Sequence, residues 1–433
     1  MRIKDFLENE LVDYATYSTY RAIASYIDGL KNAHRKVVYG IKKLNPKSEE
    51  KVSNLKGKIE SISNYLHGDI SGSIITLAKN YTGSNNLPLL TREGNFGTRF
   101  IPEPSATRYI YTQKEKYFDK IFRDDEILIK QEFEGQEIEP RYYVPVIPLL
   151  LINGSEGIAT GFAQKILPRK LDEVINCLEN ILQDKDCNAE LLPHFNGFEG
   201  EIVKVDKNKY EIRGIIKKDS KKIIIEEIPI NYNYKNYLKV LNNLIDKKII
   251  KKYEDLSDPK KEKFKFIVYP NKNVNLKDLK LVSSITENLT TIDENNRIRI
   301  FDNAKDILLA YIDIRLKHLK IRKEYKLNQL QKEIEYLKDK INFINAIIEN
   351  KIIINKKSKE EIIEQAKSLN IKYIEEHLKM QLWNLTQEKI DELLNIIDRK
   401  EKEYKELLDK SEKQIWLEEL NELKKLLYKG PKC

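Results

Sequence analysis

Leu327-Asn-Gln-Leu330-Gln-Lys-Glu-Ile334-Glu-Tyr-Leu337-Lys-Asp-Lys-Ile341-Asn-Phe-Ile344-Asn-Ala-Ile-Ile348 carries apolar residues at alternating steps of three and four. Such steps return to one side of an α-helix, so the run is a single stripe of the kind that seals a coiled coil. A second run follows at Ile390, Leu394, Ile397, Tyr404, Leu408 and Ile415, interrupted by Glu401 and Ser411. The two read as long amphipathic helices separated by a compact segment of about 350–385. An antiparallel coiled coil capped by a small helical knob fits this pattern. An ordinary helical bundle fits the periodicity equally.

Working outward, proline and glycine divide the chain. Twelve of the 13 prolines lie at or before Pro270, and 15 of the 16 glycines at or before Gly214, so the first half is the part rich in turns. Strand-like runs occupy Glu201–Val205, Lys222–Pro229 and 264–269, predicting an α/β or antiparallel-sheet region there. Residues 5–45 read as helices with Ile23, Ile27 and Leu30 on one face. A chain of 433 residues with 41% hydrophobic content supports two or three domains with real cores.

Composition narrows function less than it narrows class. No window approaches 18 uninterrupted apolar residues, and the N-terminus has no apolar signal region, so a soluble intracellular protein without a membrane partner is expected, placed in the cytoplasm. The spacing of Cys177, Cys187 and Cys433 fits no zinc site, and so sparse and odd a set predicts no disulfide framework. A net charge of +9 suits a polyanion partner but is small against 33% charged residues. Neither GxxxxGK[ST] nor GxGxxG occurs, so no nucleotide site is read here. Adjacent Asp124, Asp125 and Glu126 are read as solvated charges rather than metal ligands, and no metal site is assigned.

Four stretches carry the chemistry. They are Arg21 to Val37, with Asp28-Gly29-Leu30-Lys31 and His34-Arg35-Lys36 inside it; His67-Gly68-Asp69; Gly94-Asn95-Phe96-Gly97 followed by Ser105-Ala106-Thr107-Arg108-Tyr109; and Asn153 to Gly161. In order and spacing they resemble the gyrase A-type breakage-reunion subunits of type IIA DNA topoisomerases. The Pro140–Pro148 approach, the Gly157–Phe162 wording and the short length are most similar to the medium subunit of T-even-type bacteriophage topoisomerases. The resemblance implies an α+β, multidomain chain: a winged-helix DNA-cleavage domain over 1–145, an α/β tower domain over 146–300, and a coiled coil with a dimerisation knob over 301–433.

The same resemblance implies the reaction. Tyr109 attacks a DNA phosphodiester, giving a 5′-phosphotyrosine and a free 3′-hydroxyl; transient double-strand breaks made this way allow duplex passage, hence relaxation and decatenation. A free tyrosine has a pKa of about 10, so such an attack calls for a base, a nearby cation, or both. Arg108 offers a permanent charge whose fork matches phosphate oxygens and is implied to stabilise the transition state. His67 is implied near the scissile phosphate, Arg21, Lys31, Arg35 and Lys36 on DNA, and Ile158 as a wedge between base pairs. Mg²⁺ and ATP are implied on a partner ATPase subunit, with this chain a homodimer inside a hetero-oligomer acting on double-stranded DNA. Two departures stand out: Asn32 replaces the family's usual proline, expected to loosen that loop, and Tyr65-Leu66 precede His67 where a second histidine is common. The competing reading is a non-catalytic winged-helix and coiled-coil scaffold that bridges DNA.

Overall fold

The structure is a computed structural model and describes residues 3–219, 221–271 and 273–428. It divides into two compact units, residues 3–315 with 417–428, and residues 316–416. That division cuts across the boundary expected at 300/301. The closing helix Glu412–Tyr428 supplies Glu419, whose carboxylate pairs with the fully buried Arg315 at 2.6 Å, so the last residues of the helix belong with the first unit. Among the described residues no helix is long and apolar enough to cross a membrane.

The first unit begins with helices Ile3–Glu8, Glu10–Ala22 and Asn32–Leu44. Ile23, Ile27 and Leu30 are all buried, but they lie in the connector between two helices and not on a helical face. Main-chain pairing explains the difference: Tyr26 N donates to Ile292 O, Ile292 N donates to Ala24 O, and the Ser25 hydroxyl also donates to Ile292 O. Asp28 then organises the turn. Its carboxylate has no exposed surface and accepts from Leu30 N at 3.0 Å, Arg35 Nε at 2.8 Å and Tyr143 N at 3.1 Å. Gly29 follows with φ +68°, and a Cβ there would meet Leu150 N at 2.5 Å, so only glycine lets the turn approach that backbone. Asn32 does not loosen the loop: it is buried and donates to Tyr20 and Glu139.

Two antiparallel sheets follow. In one, Glu201–Asp206 pairs with Lys209–Arg213, which pairs with Val282–Thr286. In the other the order is Ile250–Asp255, Phe266–Pro270, Lys222–Glu227 and Ile215–Asp219. The alternation in Lys222–Glu227 sends Ile223 and Ile225 to one face, where they meet Phe266, Val268 and the helix residues Tyr237, Leu241 and Leu244. The strand runs expected over 201–230 and 264–269 are therefore present. Arg169 and Glu287, each 1% exposed, form a two-armed ion pair of 3.0 and 2.7 Å inside this unit. Asp124 is buried beside Arg315 at 3.5 Å, which corrects its reading as a solvated charge, whereas Asp125, paired with Lys42, and Glu126 are exposed.

Cys177 and Cys187 form a disulfide, with Cα atoms 4.9 Å apart, contrary to the expectation from cysteine number. The helix Leu171–Leu182 ends, and the chain reverses through Asp184 at φ +57°, which carries Cys187 back to Cys177. Cys433 lies outside the described residues.

In the second unit the helix Ala304–Ile348, which begins in the first, meets Gln387–Asp409 running the other way. Direction follows from the pairs: Ile341 and Ile344 pack with Ile390, Lys338 reaches Glu401, and Lys323 Nζ donates to the carbonyls of Leu408 and Lys410. Leu393 is buried on this seam, whereas Leu394 and Leu408 are exposed, because the buried positions follow steps of three and four from Ile390; Ile348, the last residue of the long helix, is exposed as well. The return is also broken near Lys410, so Ile415 belongs to a separate helix. Residues 350–385 fold compactly around Phe343, Ile352, Ile362, Ile371 and Ile374. Asp339 fastens this segment by accepting from Lys372 N, Tyr373 N and His377 Nε2.

Candidate functional site

Tyr109 stands just ahead of the short strand Tyr111–Thr112, which pairs with Glu50–Lys51. Its backbone is pinned on both sides: Tyr109 N donates to Ala106 O, Val52 N donates to Ile110 O, and Glu93 and Tyr111 exchange main-chain bonds. Gly94, at φ +92°, passes so close that a Cβ would lie 3.2 Å from Tyr109 O. Ile110 is fully buried while Tyr109 is 64% exposed, so the phenol projects from a fixed anchor into solvent. The exposed Arg108 guanidinium lies 5.0 Å from the centre of the Tyr109 ring. A cation and a phenol sharing an exposed edge can present a nucleophile and a phosphate ligand together.

A separate cleft of about 860 Å³ in the same unit is lined by Tyr17, Arg21, Lys36, His67, Glu139 and Phe162, among others; Arg108 and Tyr109 do not line it. In it the Tyr17 hydroxyl lies 2.8 Å from His67 Nε2 and accepts from Arg21 Nη1 at 3.2 Å. Partial burial, together with the positive charges of Arg21 and Lys36, holds the His67 imidazole below the usual histidine range. Sequence reasoning missed Tyr17. The available signal was its place four residues before Arg21, on the same helix face.

The basic residues divide by accessibility. Arg21 is exposed. Arg35 is 4% exposed and paired in two arms with Asp28, so it offers little surface for the expected DNA contact: burial works against the charge, but the Asp28 carboxylate outweighs it and keeps the guanidinium charged. Lys36 is likewise buried, donating to Ser63 O at 2.6 Å and Glu139 at 2.8 Å, so two of its three N–H donors are engaged within the protein. Lys31 is half-buried and donates to Glu156 O at 2.6 Å; burial lowers its pKa despite the help of Glu156. It lines a different cleft, with His34, Lys79 and Lys165.

Ile158 is 83% exposed at the end of the hairpin strands Ser155–Ile158 and Ala163–Ile166. That exposure is not looseness. Gln164 opposite Gly157 is buried and bonds Ala24 through both its oxygen and its nitrogen, and Thr290 O through its nitrogen. A Cβ on Gly157 would collide with Ala22 O, so the hairpin lies directly against the end of Glu10–Ala22. Thr160 N adds a bond to Ser18. An apolar side chain is thus held out into solvent by a rigid mount.

Among the described residues no group of three or more His, Cys, Asp or Glu is placed to hold a metal ion, so the residues present do not fit the implied Mg²⁺ and no step is derived through it.

Residues 21–421 match the family described as the A subunit of DNA gyrase/topoisomerase IV. The chain is similar to the mitochondrial DNA topoisomerase 2 of Dictyostelium discoideum, 33% identical over 99% of this chain and 35% of that protein. It is similar to the DNA topoisomerase 2 of Acanthamoeba polyphaga mimivirus, 31% identical over 96% of this chain and 40% of that protein. The chain thus spans 35% and 40% of the length of these two curated relatives. A solved structure from Plasmodium falciparum, the DNA-binding, cleavage and re-ligation domain of topoisomerase II, superposes with a TM-score of 0.87 and 32% identity, covering 98% of this chain and 64% of that one.

Proposed function

This chain belongs to the DNA gyrase/topoisomerase IV family of A-type subunits, and from that premise we propose that it is the DNA-cleaving and religating part of a type II DNA topoisomerase, with Tyr109 as nucleophile. The observation that carries the proposal is the exposed phenol on a pinned backbone with the Arg108 guanidinium over its ring. The phenol gives up its proton to solvent as its oxygen attacks phosphorus, the deoxyribose 3′-oxygen leaves with the bonding pair and takes up a proton, and a 5′-phosphotyrosine results. Arg108 balances the charge that builds on the phosphate oxygens. Reversal by the 3′-hydroxyl reseals the strand.

His67 and Arg21 are proposed to receive the phosphate at the cleft mouth, and Ile158 to enter the base stack from its rigid hairpin. Lys31, which donates to Glu156 O in the hairpin that carries Ile158, is proposed to add positive charge there. The N-terminal part is read as a winged-helix cleavage domain, the two sheets as the tower, and the antiparallel helices with residues 350–385 as a coiled coil ending in a dimerisation knob. Two tyrosines must cut opposite strands, so a two-fold dimer is proposed. Mg²⁺ and ATP are proposed to be held by a partner ATPase subunit. The likeness to T-even-type phage subunits remains a reading of the Pro140–Pro148 and Gly157–Phe162 segments, and a cytoplasmic site of action accompanies it.

The test is incubation with duplex DNA, Mg²⁺ and an ATPase-bearing partner, followed by detergent and protease. Protein attached to DNA 5′ ends is expected, and Tyr109→Phe is expected to abolish it while leaving DNA binding within about twofold, since a single oxygen is removed. Attachment persisting in Tyr109→Phe contradicts the assignment, and DNA bridging without any attachment favours the scaffold.

A further inference from the structure

The helix Glu10–Ala22 buries none of its residues fully, yet one side chain on it is tied at its tip. The Tyr17 hydroxyl lies 2.8 Å from Nε2 and 3.0 Å from Nδ1 of His67, and accepts from Arg21 Nη1 at 3.2 Å. The rings of Tyr17 and His67 meet edge to face at 5.4 Å, and the Arg21 guanidinium carbon lies 5.4 Å from the centre of the Tyr17 ring. Tyr65 closes another side of His67 at 5.8 Å. A phenolic oxygen has one proton to give and two lone pairs, and a neutral imidazole has one bare nitrogen and one N–H. The hydroxyl can therefore donate to the bare ring nitrogen while accepting from Arg21. Two side chains from places 46 residues apart in sequence converge on one oxygen atom.

We propose that Tyr17 is a positioning residue for strand cleavage, its hydroxyl holding the Arg21 guanidinium and the His67 imidazole aimed at one point. The proposal rests on the reading that this cleft receives the scissile phosphate. Arg21 and His67 are both exposed, and free in solvent each samples several rotamers. Ordering them only when DNA arrives takes free energy away from the transition state, whereas a pre-formed contact has ordered them already. A hydroxyl suits this task because its oxygen accepts from the Arg21 guanidinium while its proton goes to the His67 ring nitrogen. Tyr17 makes no covalent bond in the reaction; it acts through its two neighbours.

Tyr17→Phe keeps the ring and both ring contacts and removes only the hydroxyl. With the partner chain and Mg²⁺ present, the cleavage rate at saturating DNA is expected to fall roughly tenfold, the worth of one hydrogen bond to a charged group, with half-saturation changed less than twofold. In a His67→Ala background the same substitution is expected to lower the rate by clearly less, because one of its two partners is already gone. An unchanged rate overturns the proposal, as does an equal tenfold loss in both backgrounds, or weaker DNA binding at a constant rate. A second measurement needs no catalysis. In ¹⁵N-histidine-labelled protein, the His67 ring nitrogen shifts should move in Tyr17→Phe while those of the other four histidines stay; unmoved shifts also overturn the proposal. Failure of the underlying reading is recognised separately, by attachment that survives Tyr109→Phe, and the role in cleavage then falls with it.

Discussion

Asp28→Asn removes one negative charge from a site without solvent access and leaves every heavy-atom position filled. The Asp28 carboxylate accepts four hydrogen bonds, from Leu30 N at 3.0 Å, Tyr143 N at 3.1 Å, and Arg35 Nε and Nη2 at 2.8 and 3.2 Å. The amide has only one acceptor oxygen, and its NH₂ must face at least one of those donors. Arg35, 4% exposed, then stays buried as an uncompensated cation. Breaking such a pair from one side costs about 3–5 kcal/mol, a large share of the roughly 5–15 kcal/mol that stabilises a domain. Urea unfolding followed by circular dichroism should show a loss in that range for Asp28→Asn and for Arg35→Met. The double variant Asp28→Asn/Arg35→Met, which keeps an acceptor for the backbone N–H groups, should lose less than the two single losses added together, because no lone charge remains. A loss under about 1 kcal/mol for Asp28→Asn would refute the argument. So would a stable Arg35→Met protein whose DNA binding has lost the salt dependence of about one phosphate contact, since Arg35 would then be a DNA ligand after all.

Arg108→Ala should slow cleavage far more than it weakens DNA binding, and Arg108→Lys should recover only part of the rate, because an ammonium lacks the two-armed fork; equal falls in rate and affinity would argue for a mere contact. Ile158→Ala should reduce the bend of bound DNA, read by energy transfer between dyes on the two DNA ends, without lowering thermal stability by more than about 0.5 kcal/mol, since the side chain is 83% exposed. His34 should make stability depend on pH: burial, then the charges of Lys31 and Arg35, lower its pKa to about 4. The unfolded chain therefore takes up the proton first, so this contribution is complete above about pH 6.5 and is lost as pH falls from there toward 4, on the order of 3 kcal/mol in all. His34→Gln should flatten the stability profile in that window; an unchanged slope would show that other groups dominate it.

How much could be read without coordinates depended on whether the signal was local. The long helix was legible because its stripe repeats over 22 residues, Leu327 to Ile348, and the strands over 201–230 because alternation is a property of the strand itself. The blocks that hold Arg108-Tyr109 and Ile158 stood out because order and spacing of short blocks survive in a sequence, and the fold leaves all three side chains exposed. What no linear pattern contained was which donors find which acceptors. Arg35 and Lys36 look like surface cations on a helix, and only the fold brings Asp28 and Glu139 against them and buries both. Ile23, Ile27 and Leu30 are apolar at helical spacing, yet pairing with Ile292, some 265 residues on, draws the connector out of the helix. The Cys177–Cys187 link depends on a reversal at Asp184, and Tyr17 gains its meaning from His67, 50 residues away. Sequence by itself determined the elements, their periodicity and the chemical groups on offer. Tertiary structure decided which charges are buried and paired and which remain exposed, because desolvation and pairing depend on neighbours that only folding supplies.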